Sequence, residues 1–480
     1  MGERAAAPAN PAGADPGWWS GRVPRRVHVV GVAGAGMSAV AEALLALGHR
    51  VSGSDRAEAP ILAHLAGRGA TVAVGHHPGL ARAAEVVVRS SAVGDDDPEV
   101  AAARRAGIPV LARAAALAGL CAQRRTVAVG GTHGKTTTSA LAAAVLEAGG
   151  RAPSWLVGAA VRGAPSGARW VPGRWLVAEA DESDGTLLAL PRHVAVVTNV
   201  EADHLGHWGD LGTLTAGFAE FLAGAPHRVV CLDDPGAAAL AAGPGVLGYG
   251  TSPRAEVRLE DVVPAGLGAS FTLVAGGERV EGIGLGLPGV HNARNAAAAA
   301  AVGLVAGVDL ATAASALAAF PGLRRRFEVR ASQGGVTFVD DYAHLPGEVA
   351  ALVSAAAGVA GGRRLVCAFQ PHRYTRTAAV GGDFGPAFAG AALVVVSEVY
   401  GAGEAPVPGA TGAVVAEAVA RAAEAAGGRP RVVAVADLDA AADVLAGELR
   451  PGDLCLTIGA GDVTTLTDRV LARQGQGRGR

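Results

Sequence analysis

Short apolar runs rich in valine alternate with alanine-rich stretches along most of the chain. The first run, Arg26–Val32, leads through glycines into a helical pattern over Met37–Leu47 that ends at Gly48. The same order of strand, turn and helix recurs near Thr126 and again after Phe327. Strands separated by helices form parallel sheets that helices cover on both faces, so the sequence predicts an α/β fold.

The 480 residues are too many for one hydrophobic core. At roughly 100–200 residues per domain, we expect about three domains. The predicted divisions are a flexible tail at residues 1–25, rich in alanine, proline and glycine, an α/β domain at 26–123, a central domain at 124–326 with a small β-rich insert, and a third α/β domain at 327–480.

Composition and charge exclude several classes of function. A formal net charge of −2 gives no broad basic surface, so we expect neither nucleic acid nor an anionic membrane as a partner. The four cysteines are far apart and lack the paired spacing of zinc sites, which favours a reducing compartment. The N-terminus lacks the continuous apolar stretch of a signal peptide. Asp309 and glycines interrupt the apolar stretch Asn295–Phe320, which we expect to form a buried helix pair rather than a membrane span.

One loop carries the strongest local signal. The segment GGTHGKT at Gly130–Thr136 joins a buried strand to a helix, and Lys135 is the only lysine in the chain. Glycines let backbone amides converge on phosphate oxygens, the lysine reaches terminal phosphates, and the hydroxyl of Thr136 ligates magnesium. The loop is one residue tighter than a standard P-loop, because Val129 stands at the first glycine position. We predict a phosphate cradle; the alternative is an ordinary turn with a chance GKT.

A second glycine turn, Gly34–Ser38, follows the first strand, and Asp55 stands about 20 residues later at a strand end. This is a permitted form of the dinucleotide fingerprint, in which a diphosphate lies on the helix N-terminus and the acid meets a ribose. Taken alone it indicates an NAD site, although another diphosphate fits as well. The glycines would also serve for close helix packing alone.

Acidic segments follow two strands of the central domain. They are EADESD at Glu179–Asp184 and NVEADH at Asn199–His204. Because the carboxyl ends of parallel strands meet at one edge of a sheet, these side chains should lie near the phosphate cradle, where magnesium needs hard oxygen ligands. The alternative for any one of them is a solvated loop.

Three further polar segments follow. Asn292 and Asn295, in the segment HNARN, could bond a purine edge, although helix capping is the simpler interpretation. In the third domain, DDYAH ends at His344 and QPHRYTR contains Arg373 and Arg376. These arginines are three residues apart, a spacing at which two guanidiniums face one carboxylate together, or form an exposed pair with no role.

Taken together, the segments resemble the Mur ligase family from Val27 to Asp462. The resemblance is carried by GTHGKTTT at Gly131–Thr138, EADESD at Glu179–Asp184, PGVHNARN at Pro288–Asn295, RRFE at Arg325–Glu328, DDYAH at Asp340–His344, FQPHRYTRT at Phe369–Thr377 and VYGAGEAP at Val399–Pro406. The turn GMSAVAE at Gly36–Glu42 and SGSD at Ser52–Asp55 are similar to the branch that adds L-alanine to UDP-N-acetylmuramate, whose first domain binds UDP rather than NAD.

The resemblance implies a cytoplasmic, ATP-dependent amide ligase of peptidoglycan precursor synthesis that works through an acyl phosphate. It implies Rossmann-like first and third domains and a P-loop-type central ATPase domain with a mostly parallel sheet. ATP and Mg²⁺ are the implied cofactors, UDP-N-acetylmuramate and L-alanine the substrates, and the expected assembly is a monomer or homodimer.

The resemblance also implies roles for individual residues. The implied ATP-binding residues are Gly131, Thr132, His133, Gly134, Lys135, Thr136, Thr137, Asn292 and Asn295. The implied metal ligands are Thr136, Glu179 and His204, and the implied catalytic residues are Lys135, His204, Arg326 and His344. The implied substrate-binding residues are Gly34, Gly36, Met37, Ser38, Asp55, Ser90, Ser91, Tyr342, His372, Arg373 and Arg376.

This chain departs from the family pattern where Leu345 replaces a usual second histidine, so any role of that imidazole is absent. Several sister ligases hold a second magnesium with a carbamylated lysine, which a chain whose single lysine is Lys135 lacks, as the alanine-adding branch does. Three alternatives stay open: a recycling ligase that adds a tripeptide to the same UDP-sugar, an NAD-dependent oxidoreductase, and a non-catalytic sensor of UDP-sugars.

Overall fold

A computed structural model describes Trp19 and residues 23–477. Its strands form three sheets of five, ten and six strands, and most neighbouring strands are parallel. The predicted three-domain α/β fold is confirmed. The chain divides into two compact units, of which one holds the residues up to Glu260, Thr272–Ile283 and Arg294–Phe320, and the other holds Asp261–Phe271, Gly284–Ala293 and the residues from Pro321 onward.

The first sheet has the order β3-β2-β1-β4-β5, and its strands are all parallel. Its elements are β1 (Arg26–Val30), α1 (Ala35–Ala46), β2 (Arg50–Asp55), α2 (Pro60–Gly67), β3 (Thr71–Val74), α3 (Pro78–Ala83), β4 (Val86–Arg89), α4 (Pro98–Arg105), β5 (Val110–Ala112) and α5 (Arg113–Cys121). Since β1 is central, the glycine turn that follows it lies at the middle of the carboxyl edge.

The second sheet has the order β15-β14-β13-β12-β11-β10-β6-β9-β7-β8. Its elements are β6 (Arg125–Gly130), α6 (Lys135–Ala148), β7 (Ser154–Leu156), β8 (Ala168–Arg169), β9 (Trp175–Glu179), α7 (Thr186–Ala189), β10 (Val194–Val197), α8 (Leu205–Trp208), α9 (Leu211–Ala223), β11 (His227–Cys231), α10 (Pro235–Ala238), β12 (Val246–Gly250), β13 (Val257–Ala265), β14 (Gly268–Ala275), β15 (Glu278–Leu285), α11 (Val290–Val305) and α12 (Leu310–Ala318). Strand β6 pairs in parallel with both β9 and β10, so three strand ends meet at the phosphate loop.

The third sheet has the order β16-β17-β21-β18-β19-β20, with one antiparallel pair, β16–β17. Its elements are β16 (Glu328–Gln333), β17 (Val336–Asp341), α13 (Pro346–Ala360), β18 (Leu365–Phe369), α14 (Tyr374–Val380), a 3₁₀ helix (Gly381–Phe388), β19 (Leu393–Val396), α15 (Gly412–Ala425), β20 (Arg431–Ala434), α16 (Leu438–Glu448), β21 (Leu454–Ile458), a second 3₁₀ helix (Asp462–Thr465) and α17 (Leu466–Gly477). The carboxyl ends of β17 and β18, which lie on either side of β21, carry the DDYAH and FQPHRYTR segments.

Several helices begin at an aspartate whose side chain accepts a hydrogen bond from a backbone amide of the first turn. These are Asp97, Asp210, Asp234, Asp309 and Asp437. Such caps satisfy amides that have no partner inside the helix and stabilise it by about 1 kcal/mol each. The caps therefore fix where the chain leaves a loop and enters a helix.

The predicted buried helix pair is α11 and α12, and the alanines at 296–301 are fully buried. No helix in the described part of the chain is both long and apolar enough to cross a membrane. The predicted tail falls mostly outside the described residues. Trp19 differs from that expectation, because it is 1 % exposed and its carbonyl accepts a hydrogen bond from Gln123 Nε2 at 2.8 Å.

Candidate active site

The phosphate loop has a backbone that only glycine fits. Gly131 has φ +129°, and a β-carbon there would collide with Thr198 Oγ1. Gly134, the N-cap of α6, has φ +82°, and a β-carbon there would lie 2.7 Å from Asn295 Oδ1. The tight turn therefore depends on both glycines, and it presents the amino end of the fourteen-residue helix α6 to a ligand.

The single lysine lies at the start of α6, inside the loop. Lys135 Nζ donates to the carbonyls of Gly131 and Thr132, at 2.7 and 3.1 Å, and to both oxygens of Glu182, at 2.9 and 2.8 Å. Burial lowers the pKa of Lys135, but the carboxylates of Glu182 and Asp181 outweigh burial and raise it. Lys135 is therefore a fixed positive charge in the cradle.

The two residues after Lys135 are threonines, and both are buried. Thr136 Oγ1 donates to Glu179 Oε2 at 3.1 Å, and Glu179 also accepts a hydrogen bond from the Gly158 amide. Thr136 and Thr137 are 8 % and 6 % exposed. The structure thus brings together the hydroxyl and the carboxylate that the sequence predicted as metal ligands.

His204, the third predicted metal ligand, has a left-handed backbone with φ +53°. Its Nε2 lies 3.3 Å from Asp203 Oδ2 and 3.8 Å from Glu182 Oε1. In the part of the chain that the structure describes, the His, Asp and Glu side chains close enough to form a metal-ligand group are His76, Asp97 and Glu99, away from this loop. The role of His204 as a metal ligand stays a prediction.

The cradle nevertheless suits a divalent cation. Its acidic loop carries Glu179, Asp181, Glu182 and Asp184, of which Arg113 contacts the two aspartates and Lys135 contacts Glu182. Glu179 accepts a hydrogen bond from the Thr136 hydroxyl. Carboxylates with a threonine hydroxyl are the hard oxygen donors that Mg²⁺ prefers.

A brace that the sequence did not reveal holds the phosphate loop from β10. The side chain of Asn199 accepts from the His133 amide at 2.8 Å and donates to the His133 carbonyl at 3.0 Å. Thr198 Oγ1 donates to the same carbonyl at 2.6 Å, and the Thr132 hydroxyl accepts from the Glu201 amide at 3.0 Å. The motif NVEADH drew attention to its acids, whereas its asparagine fixes the loop.

Both predicted adenine-binding asparagines are buried. Asn295 Oδ1 accepts from Thr138 Oγ1 at 3.1 Å, next to Gly134. Asn292 Nδ2 donates to the Pro288 carbonyl at 2.8 Å. Each therefore has a bracing contact inside the protein, and contact with adenine stays a prediction.

The first-domain turn presents the amino end of α1. Gly34 is the N-cap and no side chain caps the helix. Met37 and Ser38 are 2 % and 4 % exposed, and Ser38 Oγ donates to the Ala35 carbonyl at 3.0 Å. Their side chains are therefore buried in the protein interior. A diphosphate at this turn would contact backbone amides instead.

The other predicted residues of this domain surround the same turn. Asp55 accepts from the amides of Ala33 at 2.9 Å and Ala57 at 3.2 Å, so its carboxylate braces the turn. Ser90 follows β4 beside Gly31, where a β-carbon would lie 3.1 Å from the Ser90 β-carbon. Ser91 is exposed. The structure thus places all of them at one carboxyl edge.

The third domain holds a line of aromatic and imidazole rings. The Tyr342 and His344 rings lie 5.4 Å apart, His344 and His372 6.0 Å apart, and His372 stacks on Tyr400 at 5.7 Å. His344 Nδ1 donates to the Tyr342 carbonyl at 3.0 Å. Burial lowers the pKa of both histidines, and that of His372 falls to about 4 with further help from His344 and Arg376. Both imidazoles are therefore neutral at pH 7, and a pKa of about 4 makes His372 a weak base.

The two arginines of this domain have different partners in the structure, and their joint binding of one carboxylate stays a prediction. Arg376 Nη1 donates to His372 Nδ1 at 3.3 Å, whereas Arg373 Nε lies 3.1 Å from Glu404 Oε1. Arg373 has φ +71° and precedes α14, so helical spacing does not apply to it. Arg376 is the arginine that this structure directs to the imidazoles.

The segment RRFE contributes two cations near Tyr342. The guanidinium carbons of Arg325 and Arg326 lie 4.9 and 5.3 Å from the centre of the Tyr342 ring. Arg325, which was not a predicted site residue, also donates to the carbonyls of Gly459 at 2.5 Å and Gly461 at 3.1 Å. It therefore ties the loop after β21 to this cluster, and Arg326 stays the predicted catalytic residue. No spacing in the sequence pointed to Arg325, because its role depends on contacts with residues that are distant along the chain.

Comparison with known families gives three matches in chain order. Residues 26–125 match the model described as "Mur ligase family, catalytic domain", residues 173–303 match "Mur ligase middle domain", and residues 325–461 match "Mur ligase, glutamate ligase domain". The first and third matches span the first and third sheets, and the second match spans β9 to β15 of the second sheet.

Relatives match over nearly the whole chain. UDP-N-acetylmuramate--L-alanine ligase of Acidothermus cellulolyticus is 48% identical over 455 residues, which cover 93% of this chain and 94% of that protein. The same enzyme of Xanthomonas oryzae is 46% identical over 457 residues, which cover 93% and 95%. Among solved structures, the UDP-N-acetylmuramate-alanine ligase of Thermotoga maritima has a TM-score of 0.81 at 28% identity, covering 94% of this chain and 100% of that one.

Proposed function

Because the chain belongs to the Mur ligase family, we propose that it joins L-alanine to UDP-N-acetylmuramate at the expense of ATP. Near-full-length identity of 48% to a ligase of that name supports this substrate pair. The structural observation that carries the proposal is Lys135, whose side chain is 16% exposed, in its glycine loop beside several carboxylates. An alanine ligase needs such a phosphate cradle, and an oxidoreductase that uses only the first-domain turn does not.

In the first step, an oxygen of the substrate carboxylate attacks the γ-phosphorus of ATP, and the bond to the β-phosphate oxygen breaks. The products are an acyl phosphate and ADP. Lys135 neutralises the charge that develops on the phosphoryl oxygens, and the amino end of α6 adds positive potential. Thr136 with Glu179 would hold Mg²⁺, which would supply further positive charge to the phosphate oxygens.

In the second step, the amine of L-alanine attacks the acyl carbon, and inorganic phosphate leaves. The amine is a nucleophile only without its extra proton, so the site needs a neutral base. His344 fits this need, because burial lowers its pKa and keeps it neutral, whereas a pKa of about 4 makes His372 a weak base that serves better to position Arg376. Arg376 next to His372 offers a cation for the carboxylate of the amino acid.

The recycling alternative, in which a tripeptide replaces L-alanine, has less support. A murein peptide ligase of Psychrobacter arcticus has a TM-score of 0.68 at 20% identity, a likeness of fold alone. The oxidoreductase alternative leaves the phosphate loop at Gly130–Thr136 and the third domain without a purpose. Turnover of any size would exclude the sensor alternative.

We also propose the cytoplasm as the compartment, since ATP and a nucleotide sugar are the substrates. Free thiols agree with it, because all four cysteines are unbridged and buried. Burial raises the pKa of Cys121, Cys367 and Cys455, which makes them unreactive. A monomer or homodimer is the proposed assembly, which light scattering of the purified protein would measure.

Competition between the two amines tests the proposal. The protein is incubated with ATP, Mg²⁺ and UDP-N-acetylmuramate, with equal amounts of L-alanine and of the tripeptide, and the products are identified by mass spectrometry. We expect the product to contain L-alanine. A product that contains the tripeptide instead would transfer the protein to cell-wall recycling.

A further inference from the structure

Arg113, which belongs to no motif, links two distant parts of the first unit. It is the first residue of α5, at the end of the first domain. Its Nη2 donates to Asp181 Oδ2 at 3.2 Å and to Asp184 Oδ2 at 3.0 Å. Both aspartates belong to the acidic loop after β9, whose next member, Glu182, binds Lys135. The Arg113 guanidinium therefore contacts the same acidic loop whose Glu182 carboxylate binds Lys135.

The same guanidinium lies on the first-domain glycine turn. A β-carbon at Gly36 would lie 3.0 Å from Arg113 Nη1 and 3.4 Å from its Cδ. Gly36 is in the first turn of α1, at the helix end where the nucleotide diphosphate is proposed to bind. An anion at that helix end is therefore within reach of Arg113, and a larger residue at position 36 would displace the arginine.

Arg113 is not satisfied by its contacts within the protein. Its side chain is only 20% exposed, and its Nε is buried with no hydrogen-bond partner among the described residues. Buried guanidinium donors are normally paired, because an unpaired one costs about 1–3 kcal/mol or more. The guanidinium therefore has donor capacity that its contacts among the described residues leave unused.

The two aspartates are held so that they stay near Arg113. Asp181 Oδ1 accepts from the Ser183 amide at 3.1 Å, and Asp184 Oδ1 accepts from the Thr186 amide at 3.1 Å. Each thus uses one oxygen for the loop and the other for the arginine.

We infer that Arg113 is a positioning residue that binds the diphosphate of the nucleotide sugar and thereby couples that site to the Mg²⁺–ATP site. The inference rests on the proposed function and goes beyond it. A dianionic diphosphate competes with Asp181 and Asp184 for the guanidinium. Without the guanidinium, Asp181 and Asp184 attract the Mg²⁺ ion that binds with ATP more strongly. Binding of the sugar nucleotide therefore tightens binding of the metal nucleotide, and the reverse holds by linkage.

Calorimetry of the full chain measures this coupling without turnover. The dissociation constant of a non-hydrolysable ATP analogue with Mg²⁺ is determined with and without saturating UDP-N-acetylmuramate. For the unaltered protein we expect the sugar nucleotide to lower it by roughly fivefold or more. For Arg113→Gln we expect a ratio near one, together with affinity for UDP-N-acetylmuramate that is weaker by about tenfold or more.

Three comparison variants separate this role from a structural one. Arg113→Lys keeps the charge and should recover part of the UDP-N-acetylmuramate affinity. Asp184→Asn should keep that affinity and reduce the coupling. Arg105→Gln, an exposed arginine at the end of α4, should behave as the unaltered protein does. Unchanged unfolding temperatures would establish that the variants are folded.

The outcomes are distinguishable. If the unaltered protein binds and converts UDP-N-acetylmuramate while Arg113→Gln shows the same affinity and coupling, this inference is overturned and the proposed function stands. If the unaltered protein neither binds nor converts that substrate, both are overturned. Loss of coupling in Arg105→Gln as well would also refute a specific role for Arg113.

Discussion

Lys135 donates hydrogen bonds to both carboxylate oxygens of Glu182, at 2.9 and 2.8 Å. The side chain of Glu182 is 1% exposed and that of Lys135 is 16% exposed. A buried ammonium needs a counter-charge, and without nucleotide Glu182 supplies it. Phosphate oxygens of ATP would accept hydrogen bonds from the same three N–H groups of Lys135. Glu182 therefore makes the contacts that the phosphate would make. This relationship leads to the first two predictions.

Replacing Lys135 by alanine should abolish phosphate transfer while UDP-N-acetylmuramate still binds at the first-domain turn. Loss of one charge that stabilises the transferring phosphoryl group lowers kcat by roughly 10²–10³-fold. Lys135→Arg should be almost as inactive, because a planar guanidinium does not fit a cradle built for a compact ammonium. Steady-state turnover and calorimetry with the sugar nucleotide measure both effects. Unchanged turnover of Lys135→Ala would contradict the phosphate-loop assignment.

Replacing Glu182 by glutamine should destabilise the protein without nucleotide. The change leaves the Lys135 ammonium without its main counter-charge, and breaking a buried pair costs about 3 kcal/mol. The thermal unfolding midpoint should fall, and Mg²⁺–ATP should restore part of it. Glu278→Gln, at an exposed position at the start of β15, is the matched control and should change little. Equal midpoints for the two variants would show that the pair contributes nothing.

Replacing Arg376 by alanine should raise the KM for L-alanine by about 10- to 100-fold and the KM for ATP far less. The proposed reason is loss of a charge-assisted hydrogen bond to the amino-acid carboxylate, worth about 1.5–3 kcal/mol. Arg421→Ala on α15 is the control, because its side chain is 67% exposed. An equal effect of Arg376→Ala on both KM values would argue against the placement of the amino acid.

Stability should depend on pH through His372. Its pKa is about 4 in the folded protein, below the ordinary value of 6.5, so the unfolded chain binds the proton more readily between these values. As far as His372 is concerned, the free energy of unfolding is therefore highest above pH 6.5 and decreases as the pH falls toward 4. With allowance for partial exposure, the loss is about 2 kcal/mol.

Urea unfolding of the protein and of His372→Gln at pH 7 and pH 5 measures this contribution. Subtracting the free energies of unfolding of the two proteins removes the contribution of other titrating groups, such as Asp341, whose pKa burial raises to about 6. The stability of His372→Gln should fall less on acidification. A parallel fall in both proteins would mean that His372 titrates normally.

The sequence predicted the elements that lie deepest in the sheets. Buried parallel strands such as β1, β6 and β9 are continuous apolar runs, which can be recognised in the sequence without knowledge of their neighbours. Strands β7, β8 and β5 are two or three residues long, too short for any periodicity, and were not predicted. The antiparallel strand β16 was also missed, because its residues are mostly half-buried and polar.

The sequence predicted which residues belong to the candidate site, but not which of them contact one another. Lys135 and Thr136 stand in a motif whose chemistry depends on neighbours in sequence. The roles of Asn199, Arg325 and Arg113 depend on contacts more than 65 residues apart, so local spacing contained no signal for them. The predicted pairing of Arg373 with Arg376 assumed a helix that begins only after Arg373.

Release of inorganic phosphate tests the central claim most directly. The protein is supplied with ATP, Mg²⁺ and UDP-N-acetylmuramate, and phosphate is measured with and without L-alanine. The proposed acyl-phosphate route predicts rapid release only when L-alanine and the sugar nucleotide are both present. Phosphate release that is absent under every condition, or that ignores L-alanine, would contradict the assignment of this chain as an alanine-adding ligase.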